Sequence, residues 1–215
     1  MVPKPARVTK GAGELITLGG YVRAFIAIDV PQVARQILAE TIRELADQVP
    51  GNVRWVAPQG IHLTLKFLGD IPIDDSEKIL EALRSPVQQV STFRVQVSGL
   101  GMFPNARRPR VLWAGVKADR ESLSSLQQCV EDTLAQMDYP TEKQSFSPHL
   151  TLGRVRDGVS PGARRRIIQA MSKASPVSSV VSEPWEVEQV HLFRTTFTPN
   201  GSIYTSMGSV SLTQD

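Results

Sequence analysis

The tetrapeptide His-Leu-Thr-Leu occurs twice, in "GIHLTLKFLGD" (60–70) and "SPHLTLGRVRD" (147–157), in a chain with only three histidines. Each copy sits at the same place in a repeated order of elements. β-Formers alternate in "VRAFIAIDV" (22–30), which predicts a strand, and Pro31 opens a helical stripe that Pro50-Gly51 stops after Val49. "IHLTLKFLG" is a second strand, Asp74 or Asp75 caps a helix to about Arg84, ahead of Pro86, and "TFRVQVSGLGMF" (92–103) is a third strand. The order then recurs: strand "RVLWAGVKA" (110–118), a helix from about Arg120 to Met137, strand "FSPHLTLGRV", a helix from Ser160-Pro161 to about Lys173, and strands at 185–195 and 202–212. His62 and His149 are 87 residues apart, and Phe103 and Phe193 are 90 apart. Two offsets this similar predict an internal duplication.

The expected fold is therefore α+β and bilobal. Two lobes of mostly antiparallel sheet, related by a pseudo-two-fold axis, carry helices on the outside and share a central cleft. The expected organisation is a flexible leader over residues 1–20 and one bilobal domain over 21–215. Its repeat halves span about 22–104 and 108–195, with a final strand at about 202–212.

On a strand, residues i and i+2 share a face. His62 and Thr64 therefore point one way and Leu63 and Leu65 the other, and the same holds for His149 and Thr151 against Leu150 and Leu152. The leucines fit a core. If the two strands meet at the axis, the opposite face gathers two imidazoles and two hydroxyls. Alternation also puts Lys66, four residues after His62, on that face. It puts Arg154, five after His149, on the other, unless Gly153 permits a bulge.

Several chemistries lack their residues. Two histidines leave a zinc site without a third protein ligand, and there is no Cys cluster or His-Glu-x-x-His. No Gly-x-Ser-x-Gly or P-loop occurs, and Cys129 falls within an amphipathic helix. That lone cysteine fits a reducing compartment such as the cytoplasm. No apolar run reaches the roughly 20 residues of a membrane span. Net charge is +3; the arginines of "NARRPR" (Arg107, Arg108, Arg110), those after the second repeat, and the "RRR" at 164–166 read first as solvated surface. What does fit is displacement at phosphorus. Two imidazoles supply a base for the attacking oxygen and an acid for the departing one, with hydroxyls and a guanidinium on the non-bridging oxygens. A metal is not required.

These motifs, together with "RAFIAIDVP", "VRWVAPQGIHLTLKFLGDI", "GLGMFPNARRPRVLWAGV", "SFSPHLTLGRV" and "VHLFRTTFTPNGSIYTSMGSV", resemble the 2H phosphoesterase superfamily, and within it the RNA 2′,3′-cyclic phosphodiesterases, also called 2′-5′ RNA ligases. The resemblance runs from about Arg23 to Leu212. It implies hydrolysis of a 2′,3′-cyclic phosphate to a 2′-phosphomonoester, a related 2′-5′ joining reaction, and no cofactor. It implies His62 and His149 as the acid–base pair and Thr64 and Thr151 as phosphate donors. Arg154 is a further expected phosphate contact. For hydrolysis, His149 is assigned as base and His62 as acid. Candidate RNA contacts are Lys66, Phe146, Arg107, Arg108 and Arg110; His191 is taken as structural. The expected partners are RNA ends or nucleotides carrying a 2′,3′-cyclic phosphate, with no membrane and a monomeric state. Two alternatives stay open: an RNA-binding module without turnover, and a 2H enzyme acting on another cyclic phosphate or a 2′-5′ oligonucleotide.

Overall fold

The computed structural model describes residues 20–118, 120–174, 180–199 and 201–214, so the expected leader lies almost wholly outside the described residues. Strand β1 (Tyr21–Asp29) leads into helix α1 (Gln32–Gln48), short strand β2 (Val53–Trp55), a 3-10 turn (Pro58–Gly60) and β3 (His62–Pro72). Helix α2 (Asp75–Val87) and β4 (Phe93–Phe103) complete the first half. The second half holds β5 (Val111–Ala118), α3 (Arg120–Ala135), β6 (His149–Val155), α4 (Pro161–Ala174), β7 (Trp185–Val187), β8 (Gln189–Thr198) and β9 (Gly201–Ser211).

All nine strands join one curled sheet in the order β7-β4-β5-β6-β3-β1-β8-β9, with β2 beside β6, and every paired strand is antiparallel. The order is symmetric about its middle: β6 answers β3, β5 answers β1 and β4 answers β8. At that middle β3 and β6 touch through one register pair, Leu63 with Leu150, which are themselves equivalent in the two repeats. The pseudo-two-fold axis therefore passes through the two leucines, and the halves share a sheet rather than merely facing each other.

Burial explains the arrangement. Leu63, Leu65, Leu150 and Leu152 are at most 3% exposed and pack on one sheet face with Ile79 and Leu83 of α2 and Leu126, Val130 and Leu134 of α3. A smaller core sets Leu45 of α1 and Ile167, Ala170 and Met171 of α4 against Leu112 and Val53. The helices thus cover one face, and the His–Thr face is left to the cleft.

Three local details differ from expectation. Helix α2 runs through Pro86 to Val87, because Pro86 lies in the last turn, where fully buried Val87 anchors the end and the amides of Gln88 and Gln89 close on Arg84 and Pro86. The strand expected at 185–195 is two strands: β7 pairs with β4, and β8 pairs with β1 at the far side of the sheet. Strand β2 was not expected.

Candidate active site

Extending the Leu63–Leu150 pair by one residue in each antiparallel direction faces His62 with Thr151 and Thr64 with His149. All four lie on the face opposite the buried leucines, and all four are half-buried. The two imidazoles are held alike. His62 Nδ1 is 2.8 Å from the Gly60 carbonyl oxygen and His149 Nδ1 is 2.7 Å from that of Ser147, two residues upstream in each case. A carbonyl can only accept, so Nδ1 is the protonated nitrogen of each neutral ring and Nε2 is left free to take or give a proton. Neither threonine hydroxyl has a hydrogen-bond partner among the described residues, which leaves both for a ligand.

The walls of the site are aromatic. The His62 ring stacks on Phe25 (centroids 4.4 Å apart) and meets the edge of Tyr204 at 4.8 Å. The His149 ring meets Phe103 edge-on at 4.9 Å, and Trp113 lies 6.4 Å away. Burial among these rings pushes His62 down from 6.5 to about 4; the charges of His149 and Arg35 push the same way, while the Gly60 bond and Asp29, its cross-strand partner, oppose it. The Leu63–Leu150 pair is what sets the two rings on the same face of adjoining strands. Asp29 is itself bonded to Arg35.

The halves are chemically unequal. Each His–Thr strand has a bulge at its second leucine: Thr64 pairs with Ala27 but Lys66 with Ile26, and Thr151 pairs with Trp113 but Gly153 with Leu112. Each bulge reverses the facing of the residues beyond it. In β6 it turns exposed Arg154 onto the His–Thr face, where the sequence allowed Gly153 to put it. Gly153 is needed there because a Cβ would lie 2.7 Å from Val53 and 2.8 Å from Trp55. In β3 the same bulge corrects the expectation for Lys66. The residue turns to the helix face, is 1% exposed, and gives its ammonium to Glu131 of α3 at 2.6 Å and to the Pro140 carbonyl at 2.7 Å. Lys66 does not line the cleft.

The residue corresponding to Arg154 is Phe67, 58% exposed and paired across to Phe25 on the His–Thr face. Sequence reasoning missed it, although aligning the sixth residues of the two motifs sets Phe67 against Arg154. Tyr204 was missed as well, because only the curl of the sheet brings β9 to β3. Phe146 needs a second correction: it is half-buried against the core and lines a hollow of about 300 Å³ with Gln127 and Glu131 of α3. A base stacked on Phe146 would lie outside the His–Thr face. Arg107, Arg108 and Arg110 sit exposed on the β4–β5 loop, where the Asn105 side chain accepts from the amides of Arg107 and Arg108. That loop connects Phe103 to the partner strand of β6. His191 is half-buried 5.5 Å from Phe193, and pairs with Ala27 where the other half sets Gly101 against Trp113. The swap is steric, since a Cβ on Gly101 would lie 2.1 Å from the Trp113 ring. Among the described residues no group of three or more metal-ligating side chains occurs, and no helix is long and apolar enough to cross a membrane.

The same architecture occurs in known proteins. A protein from Methanothermobacter thermautotrophicus named RNA 2′,3′-cyclic phosphodiesterase is 32% identical over 86% of this chain and 96% of its own length. The solved structure of Thermus thermophilus TT0787 superposes with a TM-score of 0.72 at 26% identity, covering 90% of this chain and 99% of that one. Escherichia coli LigT in complex with 3′-AMP superposes with a TM-score of 0.68, also at 26% identity, with the same two coverages. The family model for the 2′-5′ RNA ligase superfamily matches residues 30–196, a span that contains both His-x-Thr strands and their shared axis, and the chain belongs to that superfamily of two-histidine phosphoesterases.

Proposed function

We propose that this protein is an RNA 2′,3′-cyclic phosphodiesterase that opens the cyclic phosphate to a 2′-phosphomonoester by two-histidine acid–base catalysis. The observation that carries the reading is the Leu63–Leu150 pair, which sets two His–Thr pairs on one face about a single axis. The names of its relatives support the substrate class.

A phosphate on that axis has one Nε2 on either side. His149 Nε2 takes a proton from water as the water oxygen bonds to phosphorus. The P–O3′ bond breaks on the opposite side, and His62 Nε2 delivers a proton to O3′. The product is a 2′-phosphomonoester with a free 3′-hydroxyl, and the second turnover begins once the two rings have exchanged protons with solvent. Thr64, Thr151 and Arg154 meet the non-bridging oxygens, where negative charge stays through the transition state. Phe67 offers an exposed ring for a nucleobase. With an RNA 5′-hydroxyl in place of water, the same displacement gives a 2′-5′ linkage: His149 Nε2 takes the hydroxyl proton as O5′ bonds to phosphorus, the P–O3′ bond breaks, and His62 Nε2 protonates O3′.

In the free protein burial keeps His62 neutral near pH 7, so its acid role depends on the anionic phosphate restoring its charge. The opposite polarity is separable. With sulfur as the 3′ bridging atom the leaving group needs little protonation, so substituting His62 harms turnover far less than substituting His149; equal losses reject the assignment. The function itself is tested by incubating the purified protein with a 2′,3′-cyclic nucleotide and identifying the monophosphate. The 2′ isomer is expected. Retained RNA binding with no product supports a binding module, and turnover confined to other cyclic phosphates or 2′-5′ oligonucleotides supports a different substrate.

A further inference from the structure

Strand β2 was invisible in the sequence, and it brings a residue to the site that neither motif contains. Its pairs with β6 are Val53 with Val155, Arg54 with Arg154 and Trp55 with Gly153. Val53 and Trp55 face the core, so Arg54 points the other way, beside Arg154. Both guanidinium side chains are exposed, and neither has a carboxylate partner among the described residues. Like charges directly opposite on neighbouring strands repel. Arg156 extends the strip by one more position: its amide bonds to the Asn52 carbonyl at 2.9 Å, continuing the β2–β6 ladder. The other half has nothing comparable, since β3 carries Phe67 where β6 carries Arg154, and no named strand corresponds to β2.

We infer that Arg54, set against Arg154, binds the backbone phosphate next to the reacting end, so that the site takes a nucleotide chain in preference to a lone cyclic nucleotide. At roughly 3.3 Å per residue, Arg154 begins within about 10 Å of Thr151 along β6, and Arg54 lies one strand to the side. Arg154 reaches back toward the reacting phosphorus, and Arg54 meets the next phosphodiester. The geometry asks for an anion at each of two neighbouring unpaired guanidinium groups, and a single-stranded RNA backbone supplies one at each step. The same chemistry is offered by a 5′-phosphate on a mononucleotide. The inference rests on the phosphodiesterase reading.

The test compares wild type, Arg54→Gln and Arg54→Lys on three substrates: a 2′,3′-cyclic mononucleotide with a 5′-hydroxyl, the same with a 5′-phosphate, and a trinucleotide ending in the cyclic phosphate. Arg54→Gln should raise KM for the trinucleotide about tenfold relative to its change on the 5′-hydroxyl mononucleotide, with kcat for the trinucleotide within twofold. The salt dependence of trinucleotide binding should lose about 0.7 in log–log slope, the value of one single-strand phosphate contact. Arg54→Lys should keep the slope and recover part of the affinity. An effect on the 5′-phosphorylated mononucleotide equal to that on the trinucleotide assigns the seat to a terminal phosphate and overturns the chain preference. Equal losses on all three substrates, or none, overturn the inference outright. An unfolding midpoint at or above wild type shows that the variant is folded. Direct binding of a labelled trinucleotide separates the two readings: if wild type turns nothing over yet binds it through Arg54, the phosphodiesterase reading fails and the subsite stands; if Arg54→Gln binds it as wild type does, the subsite fails.

Discussion

Burial of His62 has a consequence for stability that can be measured without any substrate. Its folded-state pKa is pushed down from 6.5 to about 4, chiefly by desolvation among Phe25, Phe193 and Tyr204, with Asp29, Arg35 and His149 as the charges that face it. The unfolded chain therefore holds the proton more tightly. Stability from this group is fully present above about pH 6.5, is lost as pH falls, and levels off below about pH 4. The whole loss is about 3 kcal/mol at 1.36 kcal/mol per pH unit, and about 2 kcal/mol of it falls between about pH 7 and pH 4.5. Other groups titrate over the same range, so the assay is urea unfolding of wild type and His62→Gln at both pH values. Wild type should lose about 2 kcal/mol more than the variant. Equal losses, to within about 0.5 kcal/mol, would refute burial as the origin of the shift. Bound phosphate should reverse it. An anionic charge about 4 Å from the ring, at an effective dielectric of about 20, is worth about 4 kcal/mol, or roughly three pH units. His62 should then titrate near neutrality with a 2′-nucleotide bound, as followed by NMR; a value still near 4 would remove it as the acid.

Other outcomes depend on particular contacts. Lys66→Met alone leaves the Glu131 carboxylate buried and should cost about 3–5 kcal/mol in urea unfolding, most of it recovered in Lys66→Met/Glu131→Leu; a cost below about 1 kcal/mol would mean the pair is not desolvated. Gly153→Ala forces Val53 and Trp55 apart from β6 and should destabilise by about 1–3 kcal/mol while raising KM; an unchanged midpoint would contradict the packing. His62→Ala and His149→Ala should each lower kcat by about 100-fold or more, and a loss below about tenfold for either would break the acid–base pair. Activity should survive a chelator; loss with EDTA and recovery on adding a divalent metal would refute the metal-free mechanism.

The parts of the site that could be read from the sequence are those governed by local periodicity. Strict alternation in His-Leu-Thr-Leu separates core leucines from cleft residues, and the matching offsets locate the axis that the Leu63–Leu150 pair occupies. What escaped depends on pairing between distant strands. Gly153 flags the bulge in β6, so Arg154 could be placed conditionally. The bulge in β3 carries no glycine, so Lys66 looked like a cleft residue although its partner lies on α3. Strand β2 is only Val53–Trp55, too short to show a period, so local alternation gives Arg54 no facing. Phe146 follows no alternation because β6 begins only at His149; packing against α3 decides its direction. The break between β7 and β8 likewise has no local marker, since each pairs with a different end of the sheet.

The claim beneath the mechanism is that both rings serve one phosphorus. A crystal structure of the protein with the 2′-nucleotide product tests it directly. The two Nε2 atoms should each lie within about 3.2 Å of an oxygen on the phosphorus or its former leaving position, on opposite sides of the phosphate. A phosphate held by one histidine alone, with the other ring turned away from it, would contradict the account.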